Sequence, residues 1–112
     1  MDGEVCRASF VPGQHHVGYD QMVHGGIIFS ALDDVMANWL FLQGARAYTA
    51  KCEIRYRQPV EVNTEIFLEG RLLKRKSRVA IMEGKASRAT DDKVVADAQA
   101  SFMIVDTGKL PA

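Results

Sequence analysis

Hydrophobic and polar positions change period several times along the chain, and each change marks an element. Residues 4–11 alternate loosely, with Val5, Arg7 and Ser9 against Cys6, Ala8 and Phe10, then reach Pro12-Gly13, which predicts a strand closed by a turn. No period holds over residues 14–23, which read as a loop, long for a chain of this size and of the kind that more often carries function. Gly25 and Gly26 then open a run rich in Ile, Leu, Ala, Met, Phe and Trp that stops at Gly44, the pattern of a helix ending at a glycine. Its apolar residues fall on every side, from Ile28, Leu32 and Val35 to Phe29, Leu40 and Leu42, so the helix belongs inside a fold. From Tyr48 the period becomes two: Tyr48, Ala50, Cys52, Ile54 and Tyr56 alternate with Thr49, Lys51, Glu53, Arg55 and Arg57 until Pro59. Strand-like runs follow at 65–74, 78–90 and 94–106, parted by the turns Lys76-Ser77 and Asp91-Asp92-Lys93.

The order is therefore strand, helix and four strands (β-α-β-β-β-β). It predicts an α+β fold in which an antiparallel five-stranded sheet wraps one long central helix and leaves its charged face, with Lys51, Glu53 and Arg55, to water. A helix this apolar is hard to cover with one small sheet, so a second copy of the chain is expected against it. At 112 residues, 47% of them hydrophobic and 25% charged, the chain suits one globular domain spanning 1–112. Fourteen basic residues balance fourteen acidic ones, which removes the global field that gathers nucleic acid or an anionic membrane. Asp33 and Asp34 interrupt the one long apolar stretch, and each would cost about 2.5–3.5 kcal/mol at a bilayer centre, so no membrane span is expected. Two cysteines are too few for a disulfide scaffold, and no targeting peptide is evident, so a cytoplasmic location is expected.

Chemistry concentrates between Met22 and Asp34. Glycines at a helix start let a ligand approach the backbone, and the N–H groups there, with the helix dipole behind them, favour an oxyanion; the alternative is that Gly25-Gly26 simply makes a tight turn. Asp33 shares its helical stripe with Phe29, Met36, Ala37 and Leu40, where desolvation raises a carboxylate's pKa and suits it to proton transfer, whereas Asp34 has the polar company of Ser30 and Asn38. Either carboxylate, on the blander reading, faces water or caps a backbone group. His24 precedes the helix and offers a hydrogen-bond donor, but with adjacent His15 and His16 it matches no metal-ligand spacing. Lys74, Arg75, Lys76 and Arg78 form a basic turn, suited either to solvent or to the phosphates of a nucleotide-bearing substrate. No serine nucleophile elbow, P-loop or dinucleotide fingerprint is present, which leaves a carboxylate as the chemical group.

The segment Gly18-Tyr19-Asp20-Gln21-Met22-Val23-His24-Gly25-Gly26, followed by Leu32-Asp33-Asp34, resembles the hotdog-fold acyl-CoA thioesterases, particularly the phenylacetate-pathway (PaaI-like) type. The likeness runs on through Ala47-Tyr48-Thr49-Ala50, Ile54-Arg55-Tyr56, Pro59-Val60 and Ala98-Gln99-Ala100-Ser101-Phe102, nearly the whole chain. The resemblance implies that Asp33 is the catalytic carboxylate, as base toward water or as nucleophile, and that the Gly26 N–H polarises the thioester carbonyl. It further implies that His24 shapes the site and that Thr49 lies near the attacking water, offered across a dimer interface. Gly25 and Asp34 would line the substrate site, and Arg75, Lys76 and Arg78 would approach the CoA phosphates. Relatives are homodimers or dimers of dimers and need no metal or organic cofactor, coenzyme A being part of the substrate. One departure is Gly18, where several relatives carry Asn or Gln; Gln14, His15 and His16 are the residues in line to replace it. Two other activities fit parts of the pattern: hydration or dehydration of an enoyl or hydroxyacyl thioester, and a non-catalytic acyl-CoA binding or sensing module.

Overall fold

The computed structural model describes residues 5–13, 17–19, 22–23, 25–108 and 110. Its elements are β1 (Val5–Phe10), β2 (Val17–Tyr19), β3 (Met22–Val23), α1 (Gly25–Leu42), β4 (Arg46–Tyr56), β5 (Ile66–Lys76), β6 (Val79–Arg88) and β7 (Val94–Asp106). Five strands form one sheet in the order β1-β5-β6-β7-β4, each neighbouring pair antiparallel, and α1 packs on one face of it. This is the hotdog arrangement that the order of elements predicts. The residues expected to form a loop carry one addition, the small antiparallel pair β2-β3, in which Val17 pairs with Val23.

Alternation explains how the sheet holds the helix. Along β6, Ala80, Met82, Gly84 and Ala86 are buried, and along β7 so are Ala96, Ala98, Ala100, Phe102 and Ile104; these face Ile28, Leu32, Val35, Met36, Trp39 and Leu40 of α1 in one core. Burying each large side chain in that set contributes about 1.5–3 kcal/mol. The strands under the helix are rich in small residues, and this sets how near it lies. A Cβ added at Gly70 would stand 2.7 Å from the Val35 carbonyl oxygen, so helix backbone and strand backbone touch there. The opposite face of the sheet carries exposed ion pairs, Arg7–Glu69 at 4.0 Å and Arg71–Glu83 at 2.9 Å, together with Arg57–Asp97.

One strand departs from its predicted alternation. The pairing of β4 with β7 shifts between Thr49 and Lys51, so Ala50 is a bulge residue and the strand changes phase there. Cys52, Ile54 and Tyr56 keep the helix-facing side expected of them, but ahead of the bulge Ala47 and Thr49 face the helix while Tyr48 turns outward, 57% exposed. α1 is long and apolar enough by composition to cross a membrane, but its buried stripe is satisfied by its own sheet.

Candidate active site

Asp33 sits two turns into α1 and is half-buried, whereas Asp34, one residue on, is exposed; burial differs as the two stripes predict, but the company does not, since Asp33 meets a hydroxyl and Asp34 a largely apolar cavity. The Thr49 hydroxyl, brought inward by the bulge in β4, donates to Asp33 Oδ1 at 2.7 Å. This pair forms within one chain. The bond holds one carboxylate oxygen in place and leaves the other with its acceptor capacity. Beyond the bulge the same face of β4 presents Cys52, whose thiol is pushed above the ordinary range by burial first, then by the neighbouring Asp33 carboxylate and Glu53. Asp33, Thr49 and Cys52 therefore share one patch between helix and strand.

The helix start forms a second patch on the same helix. The Tyr56 hydroxyl, at the far end of β4, donates to the Gly25 carbonyl oxygen at 2.8 Å, and its ring lies 3.2–3.3 Å from where a Gly25 side chain would begin. Gly25 and Gly26 occupy the first turn of α1, where the helix dipole is positive. Gly26 and Asp33 are seven residues apart, nearly two whole turns, so they lie on one side of the helix about 10 Å from each other along its axis. One water bridges only a hydrogen bond on each side, so a carbonyl held at the Gly26 N–H lies beyond the reach of a water held at Asp33 of the same chain. His24, and with it Gln14, His15 and His16, lies outside the described residues.

Asp34 lines a different feature. It joins Ala31, Val35, Ala37, Asn38 and Phe41 of α1, with Ala8, Phe10 and Leu68 from β1 and β5, around a largely apolar cavity of about 560 Å³. The basic turn is the β5–β6 hairpin, with Ser77 in the left-handed region at φ 54°. Arg75 donates to the Ser77 carbonyl at 3.2 Å, and Arg78 to those of Ile104 and Val105 at 3.4 and 3.2 Å. Strand register sets Thr49, Phe102, Ala80 and Arg75 in one row across the sheet. The hairpin thus lies at the Thr49 end of the sheet, three strand spacings or roughly 14 Å from that residue. Periodicity alone could not reveal the contribution of Tyr56 to the helix start; the signal present was the pairing of an aromatic strand end with a glycine at a helix start.

Comparison with known proteins places this geometry. A family model described as the thioesterase-like superfamily matches residues 15–112. Among solved structures, a hypothetical thioesterase from Streptococcus pneumoniae TIGR4, crystallised with coenzyme A, superposes with a TM-score of 0.87 at 14% identity, covering 92% of this chain and 82% of that one. Structures of a hypothetical thioesterase from the same organism with an aspartate or a threonine replaced by alanine superpose equally well, at 13% identity and a TM-score of 0.87. A phenylacetic acid degradation-related protein from Ralstonia eutropha JMP134 gives a TM-score of 0.80 at 25% identity, over 88% of this chain and 75% of that one. PaaI from the phenylacetic acid degradation operon of E. coli gives 0.85 at 17%, over 90% and 72%. No curated protein matches the chain. With the family model spanning most of its residues and the five strands wound on one helix, the chain belongs to the thioesterase-like superfamily, and is a thioester hydrolase of the hotdog fold.

Proposed function

We propose that the protein hydrolyses acyl-CoA thioesters to free acid and CoA, with Asp33 activating water and the Gly26 N–H polarising the carbonyl, as a cytoplasmic PaaI-like enzyme. The observation that carries this reading is the Thr49–Asp33 hydrogen bond, which fixes a half-buried carboxylate on α1, the helix whose first turn holds Gly26. Asp33 takes a proton from water as the water oxygen attacks the thioester carbon, and charge developing on the carbonyl oxygen is stabilised at the positive end of α1 in a second copy of the chain, because Asp33 and Gly26 of one chain stand too far apart to meet one carbonyl. The C–S bond then breaks, and the proton leaves with CoA. Thr49 orients Asp33, and Gly25 stands next to Gly26 with the Tyr56 ring beside its α-carbon. The crystal structure of the streptococcal protein with coenzyme A supports a CoA ester as substrate. The basic hairpin of Arg75, Lys76 and Arg78 is the feature suited to its phosphates. Asp34 belongs to the wall of the apolar cavity, which suits an acyl chain more than it suits chemistry.

A homodimer, alone or paired into a tetramer, completes the site in this reading. Phe41 is 71% exposed on α1, on the side of Asp34 and the apolar cavity, which lies open until a second copy covers it. Exclusion of water there strengthens every electrostatic interaction in the site.

The test is thiol release from a panel of acyl-CoA esters, aromatic and aliphatic of graded length, by wild type and variants. Asp33→Asn should lose about 10²–10⁴-fold in kcat while its circular dichroism and acyl-CoA binding persist, since that is the usual range for a positioned acid or base. Replacing Arg75, Lys76 and Arg78 together by alanine should raise KM for CoA esters more than for a truncated thioester without the nucleotide. Binding without turnover in wild type would identify a sensing module and refute hydrolysis.

A further inference from the structure

We propose that Tyr56 is a positioning residue for carbonyl polarisation, acting through the single peptide plane that joins Gly25 to Gly26; the proposal rests on the role given above to the Gly26 N–H. The Gly25 carbonyl and the Gly26 N–H are two ends of one planar unit, and they point in opposite directions across a trans bond. A hydrogen bond on the carbonyl end therefore fixes where the N–H end aims. The Tyr56 hydroxyl supplies that bond at 2.8 Å. A carbonyl has a second lone pair beyond the one that a helix ladder uses, so the tyrosine adds a partner without displacing the i+4 bond. Withdrawing electron density at the oxygen also makes the N–H at the other end a stronger donor, as happens along chains of hydrogen bonds.

A second observation points to the same contact. The Tyr56 ring occupies the space beside the Gly25 α-carbon, with its Cζ 3.2 Å and its Cε1 and hydroxyl 3.3 Å from an added Cβ. Position 25 is thus kept free of a side chain by the same residue that anchors its carbonyl. Any side chain at 25 must push the ring outward by a few tenths of an ångström and lengthen the hydroxyl contact with it. Tyr56 stands at the last residue of β4, on the same face as Cys52, Ile54 and, beyond the bulge, Thr49. One strand therefore supports both halves of the reaction: Thr49 holds the carboxylate, and Tyr56 holds the peptide at the helix start.

The experiment is a double-mutant cycle on the intact protein, read by steady-state thioester hydrolysis and by the Gly26 amide resonance in a ¹H–¹⁵N spectrum. Tyr56→Phe keeps the ring and removes the hydroxyl. It should lower kcat about five- to tenfold, the worth of one net hydrogen bond, with KM unchanged within about twofold. The Gly26 amide proton should move upfield as its donor strength falls. Gly25→Ala alone should cost a comparable factor, and adding it to Tyr56→Ala should cost little more, because the two changes break one contact. A kcat for Tyr56→Phe within twofold of wild type, additive effects in the cycle, or an unmoved Gly26 amide would each overturn the proposal. Asp33→Asn serves as the control: it should stop turnover and leave the Gly26 amide in place. If wild type releases no thiol from any ester, the hydrolytic reading fails, and the amide resonance still decides whether Tyr56 governs this peptide.

Discussion

At the scale of single residues, the site depends on what a carboxylate has beside it. Asp33 and Asp34 are chemically identical and adjacent, yet a rotation of about 100° on the helix gives one a threonine donor in a half-buried patch and the other a place on a cavity wall. Cys52 reports on that patch from the strand side. Burial is the larger cause of its raised pKa and the Asp33 charge the next, and both act in the same direction by disfavouring the thiolate. The sign follows: Cys52 stays a neutral thiol to higher pH than an exposed cysteine, and its alkylation by iodoacetamide accelerates only above the range of a free cysteine. Asp33→Asn removes the second cause and leaves the first. The midpoint of the alkylation profile should therefore fall in that variant without reaching the value of an exposed thiol, and an unchanged midpoint would separate Cys52 from the Asp33 patch.

At the scale of elements, close contact between helix and sheet is set by small residues at particular points, and glycines at two of them differ. At Gly70 an added methyl meets helix backbone, which has no rotamer to yield, while at Gly84 it meets the ends of Leu32 and Met36 at 3.2–3.4 Å, which do. Gly70→Ala should cost about 1–3 kcal/mol through overpacking and lower Tm by several degrees, since each kcal/mol is about 4–8 °C in a domain near this size. Gly84→Ala should shift Tm by a degree or two at most, in either direction, because relief of chain entropy offsets mild crowding. Thermal unfolding of both variants checks the order. The bulge in β4 works at the same scale, since one extra residue decides which side chain Asp33 meets.

At the scale of the whole molecule, the helix has one stripe in the core of its own chain and another, with Phe41, that its own sheet leaves uncovered. In the proposed assembly that second stripe meets a copy of the chain. Sedimentation should return two or four times the 12.4 kDa chain mass. Phe41→Asp, which places a charge in the seam, should shift the mass toward one chain and lower turnover together. A monomeric wild type with full activity would remove the second copy from the site.

Much of this architecture was legible in local pattern. Element order, the buried helix, the antiparallel strands and the different burial of Asp33 and Asp34 all follow from periods of 3.6 and 2, which each segment carries within itself. The motif around Gly25, Gly26 and Asp33 was legible for the same reason, as its residues are neighbours in the chain. Tertiary structure decided what depends on a partner far along the sequence. The period-two reading placed Tyr48 inward and Thr49 outward, because a bulge is a property of the pairing between β4 and β7 and leaves no mark in β4 alone. The Thr49–Asp33 and Tyr56–Gly25 bonds span 16 and 31 residues, and only the packing of strand on helix brings their ends together. The short β2-β3 pair was read as loop, since two- and three-residue strands are too short for a period to show.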